Sequence, residues 1–247
     1  MQEDATRPGE RRPVLVLGPE RRARMLSGYL LLLDYRGLGA ESAVRALAAL
    51  ANTPTPIRAG LLASDHELPD APTALREIAE LAPAPIVWSV FGPRPDPEQA
   101  SALRRAGVRF VLADPFTDEE LRFVLNEAHH AGSADIPRID TRVPVSMRVR
   151  IGTRNGERVG HVCNLSLVGA YVATPRPTLR GGVVDVHLPI EDGEISLPAR
   201  VVWNNVPGNL RRANAAIGMG VRFLEVPSDA ETALKKLLAE RERAYRL

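Results

Sequence analysis

The sequence predicts two domains: an α/β domain built on a doubly wound parallel sheet, then an antiparallel six-stranded β-barrel followed by a C-terminal helix. Three observations lead there. At 247 residues the chain exceeds one average domain and is long enough for two cores. Between residues 13 and 131 short apolar runs alternate with helix-period segments. From Val143 onward the apolar period changes to two, as on half-exposed strands.

In the first domain, apolar runs at Val14–Leu17, Ala59–Ala63, Ile86–Phe91 and Arg109–Ala113 read as strands. Helix-period segments lie at Arg21–Tyr35, Glu41–Ala51, Thr73–Leu81, Pro97–Ala106 and Asp118–His130. Strands joined through helices form a parallel sheet covered on both faces. Asp96 before Pro97 marks one helix start, and Thr117 with Glu120 spells a capping box for another. Gly18 after the first strand belongs to no G-x-G-x-x-G turn, and no G-x-x-x-x-G-K-[ST] occurs, so dinucleotide and P-loop sites have no support.

The second domain opens after Ala131–Pro137, a mix of turn and breaker residues whose positions 132–137 read as a linker. Val145, Met147, Val149 and Ile151 alternate with polar residues, and Asn155-Gly156 supplies a hairpin turn. Further strands are predicted at Val159–Cys163, Ala170–Ala173, Val183–Leu188, Ile195–Trp203 and Gly218–Leu224. Ser228 with Glu231 reads as a capping box opening a helix with Leu234, Leu237, Leu238 and Tyr245 on its apolar face.

Composition bounds the chemistry. Apolar residues make up 45% and charged residues 25%, with 19 Gly and 21 Pro, a globular balance. No apolar run approaches the roughly 20 residues of a spanning helix. Residues 1–12 are charged, lack the core of a signal peptide and read as a flexible end, which implies a cytoplasmic protein without membrane insertion. A single cysteine, Cys163, excludes an internal disulfide framework, and five scattered histidines show no metal-ligand spacing. Cys163 itself reads as a buried, inert strand residue, and His129-His130 as carbonyl caps at a helix end. Residues 1–132 carry 15 Arg against 18 acids, a balance of −3, while the remainder reaches +5. The basic half favours an anionic partner, or is a solvated arginine-rich surface.

The order of elements in the first domain resembles the receiver domain of response regulators, a flavodoxin-like fold. Gly107-Val-Arg-Phe-Val-Leu-Ala-Asp-Pro115-Phe116 carries most of the likeness. The family places an acid pair after the first strand, a phosphate-accepting Asp at the end of the third, Ser or Thr at the end of the fourth, and Lys before the Pro-Phe. Here Gly18-Pro19-Glu20 follows the first strand, Ala63 or Ser64 stands at the acceptor position with Asp65 one or two places late, and Asp114 replaces the Lys. A negative charge there opposes a phosphoryl group. The likeness therefore implies a degenerate receiver with no phosphoacceptor, serving as a scaffold, a dimerisation surface or a dock for a protein partner.

Residues 138–226 resemble a PilZ domain, the cyclic di-GMP receptor module of bacteria. Arg138-Ile-Asp-Thr-Arg142 matches the Arg-x-x-x-Arg signature, and Asn164-Leu-Ser166-Leu-Val-Gly169 matches Asp/Asn-x-Ser-x-x-Gly. Ala199-Arg-Val-Val-Trp203 and Gly218-Met-Gly220-Val-Arg-Phe223 agree with it. Arg-x-x-x-Arg occurs six times in this arginine-rich chain, so the pair counts through its position just before a first strand, 22 residues upstream of Asn164. The family most often has Asp where Asn164 stands, and many members have a second Arg at the place of Ile139.

The chemistry is intelligible residue by residue. A guanidinium can fork onto guanine O6 and N7, pair with phosphate or stack on a base. Asn164 and Ser166 offer amide and hydroxyl hydrogen bonds, and Gly169 permits a turn or close backbone approach. Read blandly, Arg138 and Arg142 are solvated linker charges, and Asn164 with Ser166 forms a turn. The resemblance implies that the arginine segment clamps the nucleotide against the Asn164–Gly169 loop, often as an intercalated dimer of cyclic di-GMP. Ordering the joint would then reset how the domains sit.

The reading is a non-enzymatic cyclic di-GMP effector with no cofactor, whose family implies motility, surface or polysaccharide outputs through a protein partner. No G-x-S-x-G elbow, catalytic carboxylate pair or activated nucleophile stands out. Two alternatives stay open. One is a nucleotide-independent PilZ-type interaction module. The other is a nucleotide-gated DNA binder resting on the +5 half and Arg241, Arg243 and Arg246, though without a DNA-reading motif. A homodimer is compatible with each.

Overall fold

The computed structural model describes residues 11–65, 71–130, 142–191, 193–210 and 215–247. Two compact units divide the chain: Met1–Ala134 with Tyr245–Leu247, and Asp135–Ala244.

The first unit runs β1 (Arg12–Leu17), α1 (Glu20–Leu32), β2 (Tyr35–Ala40), α2 (Ala43–Ala51), β3 (Ala59–Ala63), α3 (Ala71–Leu81), β4 (Val87–Gly92), α4 (Pro97–Arg105), β5 (Val108–Ala113) and α5 (Asp118–His130). Its strands form one parallel sheet in the order β2-β1-β3-β4-β5. Alternation along β1 sends Val14 and Val16 to one face, with Leu26 and Leu30 of α1 and Leu121 and Leu125 of α5. Leu15 and Leu17 go to the other, with Leu50, Leu75, Ile78 and Leu103 of α2, α3 and α4. This is the doubly wound arrangement, with its topological switch point beside β1 and β3.

One predicted element is corrected. The helix expected over Arg21–Tyr35 stops at Leu32, Asp34 turns the chain with φ 65°, and Tyr35 begins a strand absent from the sequence reading. β2 is an edge strand with two glycines and no apolar run, so it carries little periodic signal. Gly37 has a packing reason: a Cβ there would lie 2.5 Å from Ser27 Oγ of α1. The caps behave as read. Gln99 N–H donates to Asp96 Oδ1 at 2.8 Å, and Thr117 and Glu120 exchange bonds of 2.6 and 3.3 Å.

The second unit contains β6 (Val143–Thr153), β7 (Gly156–Ser166), β8 (Gly169–Ala173), β9 (Val183–Ile190), β10 (Gly193–Asn205), β11 (Gly218–Phe223) and α6 (Ser228–Tyr245). The six strands close an antiparallel barrel in the order β10-β11-β8-β7-β6-β9. Val145, Val149, Val162, Leu165, Val172, Leu197 and Val221 fill its interior, joined by Ala230, Leu234 and Leu238 of α6.

Three details differ from the sequence reading. The first hairpin pairs Thr153 with Gly156, so Arg154-Asn155 forms the turn and Gly156, at φ 106°, follows it. Glu231 N–H bonds to the Pro227 carbonyl, which makes Pro227 the cap and Ser228 the first helical residue. Tyr245 does not join the apolar face of α6 on the barrel and is grouped with the first unit.

Candidate functional site

Successive strand residues point to opposite faces. On β7, Val162 and Leu165 are fully buried in the barrel interior, although their spacing of three would normally place them on opposite faces. A bulge resolves this: Val162 pairs with Val172 and Asn164 with the adjacent Tyr171, leaving Cys163 as the extra residue. The bulge turns Asn164 and Ser166 to the outer side of the barrel wall. Cys163 itself is buried, its thiol 3.7 Å from the His161 carbonyl.

Register assembles the outer surface into two rows. One runs Pro144, Asn164, Tyr171, Gly220 and Trp203 across β6, β7, β8, β11 and β10. The next runs Ser166, Gly169, Arg222 and Arg200 across β7, β8, β11 and β10. Arg142 directly precedes Val143, the partner of Leu165, so it enters beside Ser166 at the β6 end of the second row. Arg138 and the predicted linker at 132–137 lie outside the described residues.

Each side chain has a definable part. Among the described residues Asn164 Oδ1 is buried with no hydrogen-bond partner, an unmet acceptor of the kind that costs about 1–3 kcal/mol in a resting protein. Ser166 is fully buried and donates to the Gly169 carbonyl at 3.2 Å, fixing the two-residue turn Leu167-Val168. A Cβ at Gly169 would lie 2.2 Å from the Val221 carbonyl oxygen, so this glycine lets β8 close onto β11. Trp203 lies over Gly220, where a Cβ would meet its indole, and stacks on Tyr171 with centroids 5.0 Å apart and planes at 14°. The Tyr171 hydroxyl donates to the Ala216 carbonyl. The aromatic pair gives the first row a flat apolar end.

The receiver-like sheet carries a different cluster at its C-terminal edge. Arg22 of α1 donates from Nη2 to Asp65 at 2.7 Å and from Nη1 to Asp114 at 3.2 Å. The hydrogen bond to Asp65 is the main influence raising the guanidinium's pKa above its ordinary value; partial burial opposes it and Asp114 reinforces it. Arg22 thus places a fixed cation between the two acids. Of the two residues read at the acceptor position, Ala63, buried at the end of β3, has no oxygen to accept a phosphoryl group, and the Ser64 hydroxyl is buried with no hydrogen-bond partner among the described residues. Sequence reasoning named both acids and missed Arg22. Its signal was an arginine on the first turn of the helix leaving the switch point. His129 stacks on Tyr35 with centroids 5.4 Å apart. Among the described residues, no group of three or more His, Cys, Asp or Glu is arranged to hold a metal ion.

The second unit is thus a small closed antiparallel barrel with a bulged β7 and a tight turn between Ser166 and Gly169. Residues 137–240 match the model of the PilZ domain family, and this half of the chain is a PilZ domain. Among solved structures, the PilZ domain of CeSA from a cellulose-synthesizing bacterium is 19% identical, with a TM-score of 0.31 over 40% of this chain and 96% of that one. The PilZ domain of YcgR from Escherichia coli, solved with c-di-GMP, is 17% identical, with a TM-score of 0.35 over 44% and 93%. The signal receiver domain of an HD domain-containing protein from Pseudomonas fluorescens Pf-5 is 24% identical, with a TM-score of 0.43 over 49% and 97%. No curated protein matches the chain.

Proposed function

We propose that the chain is a non-enzymatic effector that binds cyclic di-GMP on the outer surface of its barrel and passes the nucleotide state to a protein partner through the receiver-like unit. The observation that carries this reading is the orphan acceptor Asn164 Oδ1, turned outward by the Cys163 bulge beside the row that Arg142 enters. Guanine offers N–H donors on its Watson–Crick edge that suit such an acceptor, and its O6 and N7 suit an arginine fork. Arg142, with Arg138 by the family's signature, would hold guanine or phosphate; Ser166 and Gly169 would keep the turn in shape. The PilZ match supports the ligand class. The Arg22 clamp on Asp65 and Asp114 supports a receiver-like unit that works without phosphotransfer.

Isothermal titration of the full chain with cyclic di-GMP tests the reading. Wild type is expected to bind saturably and Arg142→Ala to lose at least tenfold in affinity, since a hydrogen bond to a charged group contributes about 1.5–3 kcal/mol. Equal binding by the two would remove Arg142 from the site, and no binding by wild type would remove the function. A second reading, a nucleotide-independent interaction module, draws on Ser166, whose hydroxyl is buried and used within the turn. Partner capture that ignores added nucleotide would favour it.

A further inference from the structure

We propose that Arg200 and Arg222 form a phosphate-binding subsite that extends the nucleotide surface across β11 and β10. This rests on the cyclic dinucleotide reading above and assigns a role to two residues outside the Arg138–Arg142 and Asn164–Gly169 motifs.

Register carries the argument. Arg222 pairs with Gly169, and Arg200 pairs with Arg222, so both stand in the row that begins at Ser166. Their inward neighbours Ala199, Val201, Val221 and Phe223 are buried, while both arginines are exposed on the outer face. Adjacent strands lie about 4.8 Å apart, which puts the Arg222 backbone one spacing and the Arg200 backbone about 10 Å from Gly169. An extended arginine covers most of that distance, and an anion held by its guanidinium closes the rest. Gly169, itself buried, places no side chain between Ser166 and Arg222 in this row.

Charge supplies the second argument. Like charges directly opposite on paired strands repel, and proteins ordinarily relieve this with an acid. Among the described residues neither the Arg200 nor the Arg222 side chain makes a hydrogen bond or ion pair. Arg150, on the same barrel, is held by Glu157 and Glu194. Two outward guanidiniums without an acid suit an anion that can accept from both. A phosphodiester does so, with non-bridging oxygens that fit the guanidinium fork. The neighbouring row adds the Trp203 and Tyr171 rings, so a phosphate at the arginines would have an aromatic surface within reach of its attached nucleoside.

The phosphodiester could be the second one of the nucleotide held at Asn164, or belong to a further nucleotide molecule; titration separates the two. Wild type, an Arg200→Gln/Arg222→Gln double variant and Arg142→Ala are titrated calorimetrically with cyclic di-GMP as full-length chains. A double variant at least tenfold weaker with unchanged stoichiometry supports the subsite acting on the same molecule. A stoichiometry reduced by one molecule supports it acting on another. Wild-type affinity and stoichiometry in the double variant overturn the subsite and leave the primary reading intact, provided wild type binds and Arg142→Ala binds at least tenfold more weakly. Absence of binding by wild type overturns both. Without ligand the double variant should melt no lower than wild type, because it removes a repulsion. A melting point several degrees lower would make the arginines structural and also overturn the proposal.

Discussion

Gly169→Ala separates a glycine needed by the fold from one needed by a ligand. The added methyl would sit 2.2 Å from the Val221 carbonyl oxygen and 3.2 Å from its carbon. The obstacle is backbone, so β8 and β11 must part by about 1 Å to restore ordinary contact, and no side chain can rotate away instead. Overpacking of this kind costs about 1–3 kcal/mol. The upper end applies here, because the shift also pulls on the bond from Phe223 N–H to the Val168 carbonyl, 2.9 Å long. For a domain of this size about 3 kcal/mol corresponds to a fall of roughly 10–20 °C in melting temperature. The two units can unfold separately, so calorimetry should be fitted with two transitions and the shift assigned to the barrel. A variant as stable as wild type that has nevertheless lost nucleotide binding would refute the reasoning and make Gly169 a ligand-approach residue.

Further outcomes follow from other parts of the structure. Gly28, on the exposed side of α1, has nothing within 4 Å of the place an added methyl would take, so Gly28→Ala should stabilise the first unit by about 0.5–1 kcal/mol in denaturant titration. Gly220→Ala would place a methyl 1.9 Å from Trp203 Nε1; the indole should leave the Tyr171 stack, changing near-UV circular dichroism while most of the barrel signal in the far-UV survives. Glu194 has its pKa lowered, first by the hydrogen bond from Arg150. A depressed carboxylate stabilises the fold above its unfolded pKa, and that contribution disappears as pH falls through the folded value. Glu194→Gln should therefore lose less barrel stability than wild type on acidification from neutral pH to below the ordinary glutamate range, measured by melting temperature. An identical slope for both proteins would contradict the pairing with Arg150.

The fold was legible where burial writes a period into the chain. β1, β3 and β4 are almost wholly buried, β5 is broken only by exposed Arg109 before its last residue, and the barrel strands alternate around Val145, Val149 and Ile151. β2 was not, because an edge strand that packs through Gly37 and Gly39 needs small residues where a pattern search needs large ones. The signature residues could be named from spacing alone, but spacing does not give register. The bulge at Cys163 decides which face Asn164 and Ser166 take, and nothing in Val162-Cys163-Asn164 announces it. The rows linking Asn164 to Tyr171 and Trp203, and Ser166 to Arg222 and Arg200, join residues far apart in sequence through pairings only the closed barrel defines. Arg22 was invisible for a related reason: its two acids come from the ends of β3 and β5, brought together by strand order.

The assignment of Asn164 as the guanine-facing acceptor stands or falls on Asn164→Leu. Replacing a buried, unsatisfied acceptor by an apolar group of similar shape is neutral or stabilising for the fold, yet it removes the group proposed to meet guanine. Calorimetric titration with cyclic di-GMP, run beside a melting curve, should show saturable binding by wild type, none or at least tenfold weaker binding by Asn164→Leu, and a variant that melts no lower. Wild-type affinity in the variant would contradict the assignment.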